Sequence, residues 1–126
     1  MRRVLLFAAL LCLAALPLAA QDPVKVDAKH YKVEFENAKV RVLHFHYGPH
    51  EKSVMHSHPN LVVIPQSDAK TRFVLPGGKT EEREMKANQP AWSEATIHNP
   101  ENLTDKPMDG FLIEMKTKAA PRPRKK

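Results

Sequence analysis

The chain has 126 residues, enough for one domain, and its 42% hydrophobic and 27% charged residues are typical of a globular protein. Its formal charge of +6 reflects 20 basic and 14 acidic residues, but the last eleven positions alone hold six of the basic ones. The basic charge therefore belongs to a tail. This excludes a nucleic-acid-binding fold, which needs basic residues spread over one face.

Residues 1–20 have the pattern of a secretory signal peptide. Two arginines precede an uncharged run, residues 4–20, that ends in small residues. Cleavage is expected after Ala20, which predicts an exported protein, periplasmic or secreted, without stable membrane insertion after cleavage. The alternative is an uncleaved anchor, but the run is at the lower limit for a span and Pro17 interrupts it. Cleavage removes the single cysteine, Cys12, and with it any disulfide or thiolate site.

The chain after the signal reads as short strands separated by turns. Residues 31–36 alternate apolar and charged side chains with period two, and residues 40–47 form a second β-rich run. The continuous apolar run 61–64 is suited to a strand buried on both faces. The apolar face predicted for the first strand consists of Tyr31, Val33 and Phe35.

A hairpin is predicted over residues 72–85, where Gly77 and Gly78 supply the positive φ angles of a tight two-residue turn. The last strand alternates over residues 111–115. No window after the signal has a helical stripe, and eleven prolines spread along the chain would break most helices. Many short strands in about 100 residues predict an all-β barrel or double-sheet jelly roll.

The sharpest chemical feature is His56-Ser57-His58. Side chains at positions i and i+2 of a strand point to the same face, so both imidazoles project together. A third ligand must come from another strand, and His98 is the only histidine further along the chain. Three neutral imidazoles suit zinc, iron, copper or nickel and leave positions open for water or substrate.

Residues 48–58 resemble the first motif of the cupin superfamily, and His98 with Asn102 resembles the end of the second motif. The resemblance covers most of residues 29–117 and is closest to small single-domain bacterial cupins, including those linked to β-alanine degradation. It implies an RmlC-like jelly-roll β-barrel, preceded here by the signal peptide, that holds a divalent transition metal (Fe, Zn, Ni, Mn or Cu). The implied metal ligands are His56, His58 and His98.

The N-terminal pattern, the resemblance and the basic C-terminal run together predict three segments. Residues 1–20 are the signal peptide, residues 29–117 the barrel, and residues 118–126 a flexible basic tail. The tail is expected to be solvated, with contact to an acidic surface or anionic lipid as the alternative. Cupins also imply a homodimer, for which the strand at residues 31–36 is a candidate contact, although an ordinary core strand fits it as well.

One departure from the cupin pattern affects the metal site. The first motif has a glutamate four or five residues after its second histidine, where this chain has Val62 and Val63. Glu94 and Glu101 are candidate substitutes, and Glu101 could hydrogen-bond a ligating histidine. The ordinary interpretation is a solvated turn carboxylate.

The remaining histidines are expected to lie outside the metal site. His44 and His46 face outward if their apolar neighbours face the barrel interior, although a register one residue different would exchange the faces. His50 is placed in a loop at the barrel mouth and His30 on the surface. Two aromatic residues are expected in the core or the pocket wall: Tyr47 and Trp92.

Two functional classes remain open. One is a metal-dependent enzyme, a dioxygenase, isomerase or hydrolase, acting on a small polar molecule. The other is a non-catalytic module that binds a metal or small ligand, or a degenerate site whose histidines serve only as packing and hydrogen-bonding groups. Export favours the second class, because cytoplasmic cosubstrates are absent outside the cell, and no well-placed general base stands out.

Overall fold

Nine strands and one helical turn make up residues 21–116, which are the residues described by the computed structural model. The expected signal peptide, residues 1–20, and the expected tail, residues 118–126, lie outside this range. No helix within it is long and apolar enough to cross a membrane. The elements are α1 (Pro23–Val26), β1 (Tyr31–Glu36), β2 (Val40–Tyr47), β3 (His56–His58), β4 (Leu61–Pro65), β5 (Ala69–Val74), β6 (Thr80–Met85), β7 (Ala91–Ser93), β8 (Thr96–Asn102) and β9 (Met108–Met115).

The strands pair antiparallel in two sheets. One has five strands in the order β1-β2-β9-β4-β7, and the other has four in the order β3-β8-β5-β6. The inner faces enclose the core: alternate residues along each strand point inward, and the apolar ones among them pack together. The prediction of an all-β, two-sheet barrel is confirmed. The buried apolar residues are Tyr31, Leu43, Phe45, Tyr47, Leu61, Ala69, Met108 and Leu112.

A bulge divides the first strand between the two faces of its sheet. The pairing of β1 with β2 runs in register from Tyr31 to Val33 and then shifts, so that Phe35 pairs with Val42. One extra residue in a strand turns the side chains that follow to the opposite face. Tyr31 is buried in the core, whereas Phe35 is 54% exposed on the outer face. The predicted common face of β1 is therefore wrong at Phe35.

The apolar run in β4 is not buried on both faces as predicted. Leu61 is buried, whereas Val62, Val63 and Ile64 are half-buried. Val63 shares the core-facing side of the sheet with Leu61, while Val62 and Ile64 lie on the outer side, since successive side chains alternate. The strand has four apolar residues in a row because both of its faces bear apolar patches, only one of which is the core.

The hairpin between β5 and β6 is confirmed, with a longer loop than predicted. The amide of Leu75 donates to the carbonyl of Lys79 at 2.7 Å, which leaves a three-residue loop between them. Gly77 and Gly78 have φ of +85° and +88°, the left-handed region in which a side chain would be strained. The glycine pair thus has the backbone role expected of it.

Candidate metal centre

Three histidines from two adjacent strands converge inside the barrel. His56 on β3 pairs directly opposite His98 on β8, and His58 lies two residues further along β3 on the same face. One nitrogen from each imidazole lies within 4.8 Å of the others. Within residues 21–116, this is the one group of three or more histidine, cysteine, aspartate or glutamate side chains that is close enough to hold a metal ion.

Hydrogen bonds from the Nδ1 atoms of His56 and His58 fix the orientation of these two rings. The Nδ1–H of His58 donates to the carboxylate of Glu114 at 2.8 Å, and that of His56 donates to the carbonyl of Val54 at 2.8 Å. Each bond leaves the Nε2 lone pair of its ring available for a ligand. The Nε2 atoms of His56 and His98 are buried without a hydrogen-bond partner. Buried polar atoms are nearly always paired, so these two unpaired nitrogens suit the ligation of a metal ion.

The protonation state of these rings also suits a metal. Burial, with a smaller contribution from neighbouring His58, lowers the pKa of His56 to about 4. Burial and the neighbouring imidazoles lower the pKa of His98 to about 2. Both rings are therefore neutral at pH 7, which is the form that ligates a metal.

The same pKa shifts predict an acid-sensitive metal-free protein. Unfolded histidines take up protons near pH 6.5, but buried His56 and His98 do not, so protons favour the unfolded chain as pH falls. Between pH 6.5 and 4.5 each of the two should reduce the free energy of unfolding by about 2–3 kcal/mol. Urea denaturation of chelator-treated protein measures this loss.

Two variants isolate the effect. His98→Gln should show an acid loss smaller by about 2–3 kcal/mol, because the glutamine does not titrate in either state. His50→Asn, at an exposed loop position, should match the wild type. An equal acid loss in wild type and His98→Gln would contradict the lowered pKa of His98.

The carboxylate beside the histidines is Glu114, which the sequence analysis did not identify. It lies on β9, is 2% exposed, and accepts hydrogen bonds from His58 and from the Nε of Arg41 at 2.7 Å. Burial alone would raise the pKa of Glu114, but the hydrogen bonds from His58 and Arg41 outweigh burial and hold it below its ordinary value. Arg41 in turn donates to Asp22 at 2.6 Å. A line of charge-assisted contacts thus links His58 to the start of the described chain.

A pattern in β9 could have revealed this glutamate. Leu112 and Glu114 alternate with Phe111 and Ile113, so Glu114 shares a face with Leu112. Leu112 is in the core, and a glutamate on the core face of a strand must have a partner. The sequence did not show which of the two faces of β9 was the inner one.

Neither candidate substitute for the missing motif glutamate contacts the histidines. Glu101 points to the outer side of β8, where its Oε2 lies 3.7 Å from a guanidinium nitrogen of Arg72. Glu94 is exposed and accepts a hydrogen bond from the indole of Trp92 at 2.9 Å. Glu114 takes the position beside the imidazoles for which these two were only candidates.

His44 and His46 face outward, as the apolar pattern of β2 predicted. Both rings hydrogen-bond the carboxylate of Asp109 on the neighbouring strand β9. Burial alone would raise the pKa of Asp109, but the hydrogen bonds from the two imidazoles outweigh burial and hold that pKa below its ordinary value. The pair lies across the sheet from the barrel interior and takes no part in the histidine cluster.

His30 is not on the surface as predicted. It is 5% exposed, its ring stacks on Tyr47 with centroids 4.2 Å apart, and its two ring nitrogens contact the carboxylates of Asp27 and Glu51 at 2.7 Å each. The partners that allow this burial come from separate segments, which the sequence did not place together. His50 is an exposed loop residue and does not line the cavity.

A cavity of about 620 Å³ reaches His58 and His98 from the surface. Tyr31 and Tyr47 contribute to its wall, and their hydroxyls bond each other at 2.6 Å. Burial raises the pKa of both phenols, so both are neutral. Four charged side chains also border the opening: Glu81, Arg83, Glu84 and Glu94. The apolar part of the wall includes Phe45, Leu61, Val63, Phe73, Met108 and Leu112.

The two aromatic residues expected in the core or pocket wall differ in position. Tyr47 is 1% exposed and lines the cavity, as predicted. Trp92 is 54% exposed, and its strand β7 borders the cavity at the edge of the sheet. Its side chain shares the outer face with Val62, its cross-strand partner. Trp92 is therefore not in the core, but it is among the residues that line the cavity, as the pocket-wall alternative predicted.

Solved structures share this fold at low sequence identity. A cupin domain from Bordetella pertussis is 22% identical, with a TM-score of 0.64, and the match covers 69% of this chain and 92% of that one. A double-stranded β-helix protein from Klebsiella pneumoniae is 18% identical, with a TM-score of 0.54 and coverage of 68% and 74%. An RmlC-like cupin from Methanocaldococcus jannaschii is 16% identical, with a TM-score of 0.53 and coverage of 71% and 83%.

No protein-family model matches the chain, and no curated protein matches it. The likeness to solved structures shows the fold: the chain has the cupin fold, a double-stranded β-helix. The resemblance of residues 48–58 to the first cupin motif implied this fold, and it is confirmed.

Proposed function

We propose that this chain is an exported single-domain cupin that binds one divalent transition metal through His56, His58 and His98. The metal, with the cavity beside it, binds a small molecule. The observation that carries the proposal is the pair of buried, unpartnered Nε2 atoms on His56 and His98. One nitrogen of each of the three rings lies within 4.8 Å of the others, which is the close approach that a three-histidine site needs.

The metal would supply a Lewis acid that polarises an oxygen of the ligand. The residues of the chain supply the rest: Glu114 holds His58 in place, and the apolar wall excludes water around the ligand. The sequence pointed to a small polar ligand. Because the wall of the cavity is largely apolar, it favours a ligand with an apolar body and an oxygen donor at the end that faces the histidines.

Such a cupin could be a metal-dependent enzyme or a non-catalytic binding module, and the state of the nearby ionisable groups favours the binding module. Glu114 is already bonded to Arg41 and His58, which leaves it unsuited to accept a proton from a substrate. Tyr31 and Tyr47 are neutral and bonded to each other. The enzymatic alternative, a dioxygenase, isomerase or hydrolase, would need its general base from the rim of the cavity.

One experiment tests metal binding and export together: the full chain is expressed in a bacterial host and purified from the compartment to which it is exported. The purified chain is expected to start at or near Gln21. It should contain about one transition-metal ion per chain, because a single three-histidine site holds one ion. Mass spectrometry gives the first residue and elemental analysis gives the metal. An intact Met1 would contradict export, and the absence of any transition metal would contradict the metal site.

Oxygen uptake tests the dioxygenase form of the enzyme against the binding module. Metal-loaded protein is mixed with a thiol, a diketone and a flavonoid in turn, and chelator-treated protein is the control. Metal-dependent uptake with any of the three would support the enzyme. Binding of a probe without turnover, detected by calorimetry, would support the binding module.

A further inference from the structure

The edge strand β6 directs two charged side chains toward the opening of the cavity. Its neighbour β5 places Thr71 and Phe73 on the inner face of the smaller sheet, and Arg83 and Glu81 lie directly opposite these two residues. Cross-strand partners share a face, so Arg83 and Glu81 also face inward. All four line the cavity. Strand β6 therefore presents one cation and one anion on the side of the sheet that holds the histidines.

Arg83 lies close to the metal centre. It is the one lysine or arginine among the residues of the described chain that line the cavity. Its guanidinium carbon is 5.7 Å from the centroid of the Phe73 ring, and that ring stacks on His98 with centroids 4.9 Å apart. A guanidinium over an aromatic face is attracted by the negative face of the ring. One aromatic side chain thus separates the cation at the opening from an imidazole of the site.

The guanidinium has hydrogen-bond donors to spare. Within residues 21–116 its hydrogen-bond partner is Glu81, which accepts from Nη2 of Arg83 at 3.2 Å. Arginine has five N–H donors, so one such contact leaves most of them available. The Arg83 side chain is 61% exposed, and a carboxylate can therefore approach it from the opening. Two parallel N–H···O bonds to a carboxylate are the contact that arginine favours.

The glutamates at the opening do not form a matching site for a cation. Glu81 is paired with Arg83, and Glu94 already accepts a hydrogen bond from an indole. Glu84 lies opposite Lys70, at positions that alternate with the inward-facing ones, so it faces the outer side of the sheet. At the inner end, a divalent ion on three neutral imidazoles would keep its full positive charge. The charges that face a ligand therefore favour an anion.

We propose that the ligand is an organic acid whose carboxylate binds Arg83, while an oxygen donor at its other end faces the three histidines. The inference rests on the proposed metal site and names the class of ligand for it. An apolar body between the two polar ends would pack on Phe73 and the apolar wall of the cavity. Arg83 is then the residue that selects for negative charge.

Two probes that differ only in charge test this selectivity. 4-Carboxybenzohydroxamic acid carries a metal-chelating hydroxamate at one end of a benzene ring and a carboxylate at the other. In 4-carbamoylbenzohydroxamic acid a neutral amide replaces the carboxylate. Calorimetry with metal-loaded wild-type protein should find the carboxylate probe bound about tenfold more tightly, because charge-assisted hydrogen bonds are about twice as strong as neutral ones. Arg83→Gln should lose this preference and bind the amide probe as well as wild type does.

Arg72→Gln is the matched control. Arg72 lies on β5, where it faces outward and contacts Glu82 and Glu101, so this variant should keep the wild-type preference. Equal affinities of the two probes for wild type, or a carboxylate preference that survives Arg83→Gln, would overturn the inference. Metal-dependent binding of both probes would in that case leave the metal site standing. Probe affinities that are the same for metal-loaded and chelator-treated protein would contradict the metal site and this inference with it.

Discussion

Alanine in place of His56, His58 or His98 should lower the bound metal to about a tenth of the wild-type content or less. Each imidazole supplies one of three bonds, and a two-ligand site competes poorly with water and buffer for a transition metal. The expected loss is similar for the three variants, because no other histidine, cysteine or carboxylate within residues 21–116 completes such a cluster. Elemental analysis of protein purified with equal metal supply measures it.

His44→Ala and His46→Ala are the matched controls for this experiment. Their side chains face away from the barrel interior and bond Asp109, so both variants should keep their full metal content. Circular dichroism should show folded protein in all five variants, since the apolar inner faces provide most of the stability. Full metal in His98→Ala with loss in His44→Ala would mean that the metal binds on the outer face.

Replacement of Glu114 by glutamine should weaken both the fold and the metal site. The loss of the negative charge leaves Arg41, whose side chain is 18% exposed, with Asp22 as its remaining carboxylate. Removing one partner of a buried ion pair costs about 3–5 kcal/mol, and the contact with Asp22 places this variant near the lower value. Loss of the carboxylate that orients a ligating histidine typically lowers metal affinity by about 10–100-fold.

Glu101→Gln and Glu94→Gln separate this effect from a general loss of negative charge. Both glutamates lie away from the imidazoles, so metal affinity and the free energy of unfolding should stay near the wild-type values. Metal titration in a competing chelator and urea denaturation provide the two measurements. Equal metal affinities in Glu114→Gln and wild type would show that the hydrogen bond from His58 does not support the site.

The barrel and the histidine set could be predicted because they depend on local patterns. Period-two alternation located the strand 31–36, and a run of β-forming residues located the strand 40–47, both with the bounds that the structure has. His56 and His58 share a face by alternation alone, and the chain has only one later histidine to join them. These inferences needed no knowledge of which strands are neighbours.

The supporting residues could not be predicted because they depend on pairings distant in the sequence. Glu114 lies beside His58 because β9 is inserted between β2 and β4, a neighbourhood that no local pattern specifies. His30 is buried because two carboxylates from different segments meet it. Phe35 changes face through a one-residue bulge, which leaves the alternation of the sequence undisturbed.

The contacts made by Gln21 and Asp22 would make the position of leader cleavage important for the site. The amide of Ser57, between the two histidines of β3, donates to the carbonyl of Gln21 at 2.9 Å, and Asp22 holds Arg41. If cleavage falls after Ala20, as proposed, these are the first two residues of the mature protein. A peptidase that cut two residues later would delete both contacts and free Arg41 to move away from Glu114. The accuracy of leader removal would then set how firmly His58 is held, before any metal arrives.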